Sequence, residues 1–276
     1  NHVEITARMF AKTVDQLRRT LALCRENGVR TYLLGNGSNT LFADEGYDGA
    51  VIDLRGLNFG PTAEPQPDGS TRLTASAGLT LGRLCAAAQQ QGLAGIAFAC
   101  GIPGTIGGAV YMNAGAYGGE MKDVLENVTF LDSDLTERTL PAAELALGYR
   151  TSLFEQHPDW CVLSATVRLQ PGDSAAILAE MQDYLQRRKD KQPMEWPSAG
   201  STFKRPRGAF AGKLIEDCGL RGFTVGGAQI SEKHCGFVIN RGGATCADVV
   251  SLTDQVKAIV LQKTGYTLER EIRVVK

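Results

Sequence analysis

The sequence predicts an α+β protein of two domains, the first over residues 1–171 and the second, smaller, over 172–276. Three observations predict it. Short apolar strands alternate with amphipathic helices along a chain of 276 residues, long enough for two cores. The turn Gln170-Pro-Gly-Asp173 interrupts that alternation and marks the boundary. The stretch Gly101–Gly119 packs seven glycines into nineteen residues without a charged side chain, which no ordinary connection needs.

The elements follow in order. Thr13–Asn27 reads as a helix, with Val14, Leu17, Leu21 and Cys24 on one face and Gly28 as its stop. Thr31–Leu34 is a short strand that runs straight into Gly35-Asn-Gly-Ser-Asn39. Ala50–Leu54 and Thr71–Ala77 read as strands, with a proline-rich loop over 60–69 between them. Leu81–Gln91 is a second helix, ended by Gly92, and strands follow near Val128–Leu131 and at Cys161–Leu169. Beyond the boundary, Ser174–Lys191 is an amphipathic helix expected to turn Ile177, Leu178, Met181 and Leu185 inward. The last hundred residues add a helix near Gly212–Cys218, a strand Gly236–Asn240, a helix Ala247–Gly265 and a strand Leu268–Val275. These suffice for a small second α+β domain.

Composition narrows the function classes. Lys+Arg 29 against Asp+Glu 30 gives a net charge of −1, so no basic stripe points to nucleic acid and no basic helix to a membrane surface. The seven cysteines (24, 85, 100, 161, 218, 235 and 246) form no CxxC and no metal-ligand spacing. They read as reduced, buried thiols of a cytoplasmic protein. His2, His157 and His234 are too scattered for a zinc site, and no metal is expected. Leu84–Gly119 is a run of 36 uncharged residues, long enough to raise a membrane span. Gln89–Gln91, Pro103, Asn113 and nine glycines within it would leave polar groups unpaired in lipid, so the span is rejected. No signal peptide is legible at the N-terminus.

Glycine-rich backbone can form concave nests of N–H groups for an anion, most often a phosphate. A P-loop needs Gly-Lys-Ser/Thr, which Gly101–Gly119 lacks, so the stretch suits the inner pyrophosphate of a held cofactor better than a triphosphate to be cleaved. Neither this stretch nor Gly35–Leu41 matches G-x-G-x-x-G, which speaks against a Rossmann domain. The plain alternative is that both are tight turns; it is even odds for the shorter one and poor for the longer.

Gly35-Asn-Gly-Ser-Asn-Thr-Leu41, Gly101–Gly119, Gly148-Tyr-Arg-Thr-Ser152, Ala199-Gly-Ser-Thr-Phe-Lys204 and Leu268-Glu-Arg-Glu-Ile-Arg273 occur together in this order. Any one motif is weak; five in sequence are specific. From about Ala7 to the C-terminus the chain resembles the UDP-N-acetylenolpyruvoylglucosamine reductase (MurB) family, in the branch without an inserted tyrosine-bearing loop. The resemblance implies a PCMH/vanillyl-alcohol-oxidase-type flavin domain of two subdomains and a C-terminal substrate domain. It implies FAD, bound non-covalently since no histidine lies near the glycine turns in sequence, and NADPH as hydride donor. The substrate implied is a small UDP-sugar; oligomeric state is not legible, with a monomer favoured.

The same resemblance assigns residues. The cofactor would be held by Gly35, Asn36, Gly37, Ser38, Asn39, Thr40 and Leu41, and by Gly101, Ile102, Pro103, Gly104, Gly107, Gly108, Asn113, Ala114, Gly115, Ala116 and Tyr117. Arg150 would clamp the enolpyruvyl carboxylate, as a planar fork of donors can; by pattern alone it is as readily a surface arginine. Ser201 would give the proton, although a turn hydroxyl after Gly200 is its plain reading. Glu271 would be an acid or electrostatic partner of the enol. Strand alternation would put Leu268, Arg270, Ile272 and Val274 on one face and Glu271 on the other, toward a cleft or solvent. Tyr149, Lys204, Arg205, Gln229 and Lys233 are the substrate-side candidates, with Arg205 standing where some relatives carry Asn.

One departure is visible. Relatives carry an extended segment with Thr-Phe and a Gly-Gly pair before the first helix, where this chain has Val3–Phe10 and starts at Asn1. Either a piece is absent or the chain is shortened. Two other functions fit less well: another PCMH-type flavin oxidase or dehydrogenase of an alcohol or sugar, and a non-catalytic nucleotide-sugar binding module.

Overall fold

Residues 5–276 are described in a computed structural model of the chain, so Val3 and Glu4 of the departing segment, and His2, lie outside the described residues. The chain divides into two compact units, one built chiefly from Ala7–Asn36 and Gly49–Gln186, the other from Gly37–Asp48 and Arg187–Lys276. The Gly35–Leu41 turn therefore carries the chain out of the first unit and into the second.

In the first unit, α1 (Val14–Glu26) starts where Thr13 caps the amide of Gln16 and stops before Gly28, whose φ of 65° suits a residue without Cβ. It buries Leu17, Leu21 and Cys24 with Ile52, Leu54, Leu131 and Leu163. Thr31–Leu34 pairs in parallel with Ala50–Asp53. The main sheet is antiparallel and runs in the order Glu137–Pro141, Leu125–Leu131, Cys161–Pro171, Thr71–Ser76, Thr62–Pro65. Leu73, Ala75, Val128, Phe130, Ala165 and Val167 are buried in one core with α2 (Leu81–Gln90) and α3 (Ile106–Tyr111). The alternate residues carry polar pairs: Thr74 with Thr166, and Arg72 and Arg168 on either side of Glu126. Those guanidinium hydrogen bonds hold the Glu126 carboxyl below the usual carboxylate range.

Three expectations are corrected here. The proline-rich loop contains an edge strand, Thr62–Pro65, fully exposed, where a proline costs the ladder nothing. The glycine stretch is not all loop, since α3 lies inside it. In α4 (Ser174–Lys191), Ile177 and Met181 are buried and Tyr184 packs on the same core, but Leu178 and Leu185 are 42% and 46% exposed. The inward stripe is narrower than the apolar pattern suggests. The helix begins directly after the 170–173 turn and the units part later, between Gln186 and Arg187.

The second unit has a four-stranded antiparallel sheet ordered Ser198–Ser201, Phe237–Asn240, Ala228–Ile230, Thr224–Val225. Its core is closed by α5 (Ala211–Asp217) and α6 (Cys246–Thr264), through Ile215, Leu252, Val256 and Val260. The N-terminus of α6 is doubly served: Asp44 accepts from the amides of Cys246 and Ala247, and Asp248 forms a capping box with Thr245. The terminal strand is shorter than expected. Only Arg273–Val275 forms a strand, paired in parallel with Thr40–Phe42; Leu268 and Ile272 are buried as alternation expects, but Val275 is buried in place of Val274.

All seven cysteines are free thiols, six of them buried. Burial pushes the Cys161 thiol up to about 12 and raises Cys85 as well, so neither presents a thiolate. Among the described residues no cluster of His, Cys, Asp and Glu could hold a metal ion, and no helix is long and apolar enough to cross a membrane.

Candidate functional site

Two groups of candidate residues form, one in each unit. In the first unit the two glycine segments meet. Asn36 donates its side-chain amide to the Pro103 carbonyl at 2.7 Å. Gly35 lies so close to Thr105 that a Cβ there would stand 2.5 Å from the Thr105 Oγ1. The segment is docked on the chain just beyond the strand Thr71–Ser76 by Ile106 N–H to Leu79 O and Gly107 N–H to Ala77 O, and a Cβ on Gly107 would meet that of Ala77 at 2.9 Å. Here glycine is required by contact rather than by turn geometry.

Thr105 itself is 1% exposed, and its hydroxyl has no hydrogen-bond partner among the described residues. An unmet buried hydroxyl costs about 1–3 kcal/mol. A bound group bearing phosphate or hydroxyl oxygens would remove that cost, so the place fits a nucleotide cofactor. Sequence reasoning passed over Thr105 because an uncharged residue among glycines carries no chemical signal of its own.

Farther along the same segment, Asn113 and Tyr117 hold left-handed backbone, at φ of 40° and 53°. Tyr117 stacks on Tyr184 with ring centroids 4.4 Å apart and donates its hydroxyl to the Tyr184 carbonyl. Arg150 occupies the tight turn Gly148–Thr151, also left-handed at φ 57°. Its Nη2 donates to the Gly115 carbonyl at 3.0 Å, and its guanidinium carbon lies 5.2 Å from the centroid of the Tyr149 ring, which is half exposed. The structure thus joins Arg150 to the glycine segment.

In the second unit Ser201 and Glu271 are brought together by backbone pairing. Lys204 N–H donates to Glu269 O, Phe203 bridges Arg270, and Glu271 N–H donates to Thr202 O at 2.8 Å. The Asn39 side-chain amide donates to the Glu271 carbonyl at 3.1 Å, and Arg273 N–H donates to Asn39 O. Gly200, at φ 85°, lets the chain pass Ser38: a Cβ there would lie 3.8 Å from the Ser38 carbonyl oxygen. Ser201 is exposed and Glu271 half-buried. Thr202, 2% exposed, fixes the segment by accepting from the Val238 amide on Oγ1 and donating its own amide to Gly236 O. Sequence reading missed Thr202, whose role appears only when its partners across the sheet are known.

The remaining substrate-side candidates are engaged locally. Lys204 pairs with Glu269 at 2.5 Å, and the Arg205 guanidinium sits 3.8 Å over the exposed Phe210 ring. Gln229 donates to Gly222 O and Thr224 Oγ1 within its own hairpin, and Lys233 donates to the Lys189 carbonyl. Burial lowers the His234 imidazole below its ordinary value, and its Nδ1 accepts from the Gly236 amide. His157 stacks on Trp160 at 3.9 Å.

Comparison with known proteins gives two family matches. Residues 5–139 match an FAD binding domain, and residues 192–275 match the C-terminal domain of UDP-N-acetylenolpyruvoylglucosamine reductase. A reductase of that name from Clostridium perfringens is 47% identical over 261 residues, covering 95% of this chain and 84% of its own. One from Lachnoclostridium phytofermentans is 45% identical over 267 residues, covering 97% and 86%. The crystal structure of the Thermus caldophilus reductase (MurB) superposes with a TM-score of 0.80 at 33% identity, covering 98% of this chain and 92% of its own.

Proposed function

The chain belongs to the UDP-N-acetylenolpyruvoylglucosamine reductase family, and on that premise we propose that it is the FAD-dependent, NADPH-consuming enzyme that reduces UDP-N-acetylglucosamine enolpyruvate to UDP-N-acetylmuramate. The observation that carries this is identity of 47% over 95% of the chain; the backbone bond from Glu271 N–H to the carbonyl of Thr202, the residue after Ser201, supports it. The family matches over 5–139 and 192–275 support a cofactor domain over 1–171 and a substrate domain over 172–276. We assign it to the branch without the inserted tyrosine loop, acting as a monomer in the cytoplasm.

FAD is held by the Gly35–Leu41 and Gly101–Tyr117 segments, where bare glycines admit close approach and Thr105 offers its unmet hydroxyl. The attachment is taken as non-covalent because no histidine lies near the glycine turns in sequence, and His157 is stacked on Trp160. The chemistry FAD supplies when bound is hydride transfer, from NADPH and on to the enolpyruvyl β-carbon.

The protein's own groups handle the charge and the proton. Hydride addition leaves negative charge on the α-carbon and its carboxylate. The Arg150 guanidinium binds that carboxylate and stabilises the charge as it grows. The Ser201 hydroxyl delivers the proton to the α-carbon. A serine is a weak acid and needs a strongly basic acceptor, which this carbon becomes only after hydride has arrived. Glu271 stands as acid or electrostatic partner on the segment paired with Thr202, its carbonyl gripped by Asn39. Tyr149, Lys204, Arg205, Gln229 and Lys233 contribute to the UDP-sugar side.

The test is direct. Purified protein should be yellow, and NADPH oxidation under anaerobic conditions should require UDP-N-acetylglucosamine enolpyruvate and yield one UDP-N-acetylmuramate per NADPH. Protein that cannot be loaded with FAD, or that oxidises NADPH only with oxygen, overturns the proposal.

A further inference from the structure

We propose that Asn113 is a positioning residue for Arg150, clamping the arginine's turn to the glycine segment. Asn113 is completely buried, and all its side-chain hydrogen-bonding groups are spent. Its amide donates to Glu120 Oε2 at 2.8 Å and to the Gly148 carbonyl at 2.9 Å; its Oδ1 accepts from the Lys122 amide at 2.9 Å. Gly148 opens the turn that carries Arg150, and Arg150 Nη2 returns to Gly115, two residues beyond Asn113. The far end is tied as well: Ser152, also fully buried, donates its hydroxyl to the Tyr111 carbonyl at 2.8 Å. Both ends of the turn and the guanidinium are thus fastened to one five-residue stretch, Tyr111–Gly115.

The backbone says why the fastening is needed. Arg150 holds a left-handed φ of 57°, which a non-glycine residue keeps only where its surroundings over-determine it. Asn113 is itself left-handed at 40°, a conformation asparagine tolerates better than other side chains. An arginine side chain has many rotamers, and an offset of about 1 Å in a reacting group can cost up to ~10²-fold in rate. The side-chain groups of Asn113 all engage protein, so its influence on the reaction runs through the turn that it holds.

This inference rests on Arg150 binding the enolpyruvyl carboxylate, and its test separates the two. Wild type, Asn113→Ala, Ser152→Ala, Arg150→Ala and the Asn113→Ala/Arg150→Ala double variant are loaded with FAD and followed by FAD-binding fluorescence and by anaerobic stopped-flow of each half-reaction. Ser152→Ala loosens the far end of the turn from outside the cofactor segments and is expected to slow reoxidation several-fold, with flavin reduction by NADPH and FAD affinity within about two-fold. Asn113→Ala is expected to slow reoxidation by the enolpyruvyl substrate roughly 10- to 100-fold. Combined with Arg150→Ala it should add almost nothing, because a misplaced arginine and an absent one fail alike. Wild-type reoxidation in Asn113→Ala, damage by Ser152→Ala to FAD binding or equally to both half-reactions, or multiplicative effects in the double variant overturn the positioning role while leaving Arg150's own role intact. Normal reoxidation in Arg150→Ala overturns both. Should Asn113→Ala not fold, Ser152→Ala alone decides; no loss there overturns the proposal.

Discussion

At the scale of single residues, the site depends on close contacts that no motif spells out. Gly35 is needed because a Cβ would press on the Thr105 hydroxyl at 2.5 Å. Gly35→Ala should therefore destabilise by about 1–3 kcal/mol, read as a fall in urea midpoint, and adding Thr105→Ala should recover most of it; strictly additive losses would show that the two do not touch. Glu271→Gln keeps the backbone bond to Thr202 and should slow reoxidation by enolpyruvyl substrate on the order of 10²-fold, with NADPH-driven reduction unchanged in the same stopped-flow traces. Legibility at this scale was uneven. Arg150, Ser201 and Glu271 are named through the family resemblance, since by pattern alone they read as a surface arginine, a turn hydroxyl and a solvent-facing carboxylate. Thr202 and, in its tie to the turn of Arg150, Asn113 act through partners far away in sequence, Val238 and Gly148, while Thr105 matters for a hydroxyl left unmet, so local pattern says nothing of these roles.

Among the elements, helices were read more surely than strands because a 3.6-residue pattern over many turns averages out local exceptions. The α1 and α6 helices lie within a residue or two of their expected bounds, each with its own cap. The terminal strand is shorter than its pattern suggests: Leu268 and Ile272 are buried as alternation expects, but only Arg273–Val275 forms a strand, because Lys204, Thr202 and the Asn39 side chain take the backbone of Glu269 and Glu271. The α6 N-terminus gives two checks. Asp44→Ala removes the acceptor for two helix amides and should cost about 0.5–2 kcal/mol by urea unfolding. Asp248 is held below the usual carboxylate range by the amides of Thr245 and Gly227. Its contribution is present above the unfolded value, near 3.9, and is lost as pH falls through the lower folded value. Urea midpoints should then drop less steeply below about pH 4 in Asp248→Asn than in wild type; parallel curves would show that the cap carries no pH-dependent stability.

For the molecule as a whole, each unit holds its own candidate residues: Gly35, Asn36, the Gly101–Gly119 segment and Arg150 in one, Gly37–Leu41, Ser201 and Glu271 in the other. The chain crosses between them inside Gly35–Leu41, so this one turn supplies Asn36 to the first group and Asn39 to the second. Sequence alone could show that both glycine segments mattered; it could not show that one of them is divided. The α+β class and the family followed from five motifs in order, whereas the point of division depended on packing along α4 that the apolar pattern overstated. The central claim is that Ser201 acts only after hydride has reached the substrate. Anaerobic stopped-flow of Ser201→Ala measures it most directly: flavin bleaching by NADPH should match wild type, and recovery of absorbance with UDP-N-acetylglucosamine enolpyruvate should slow by roughly 10²–10⁴-fold. Equal impairment of both phases, or recovery at the wild-type rate, would contradict it.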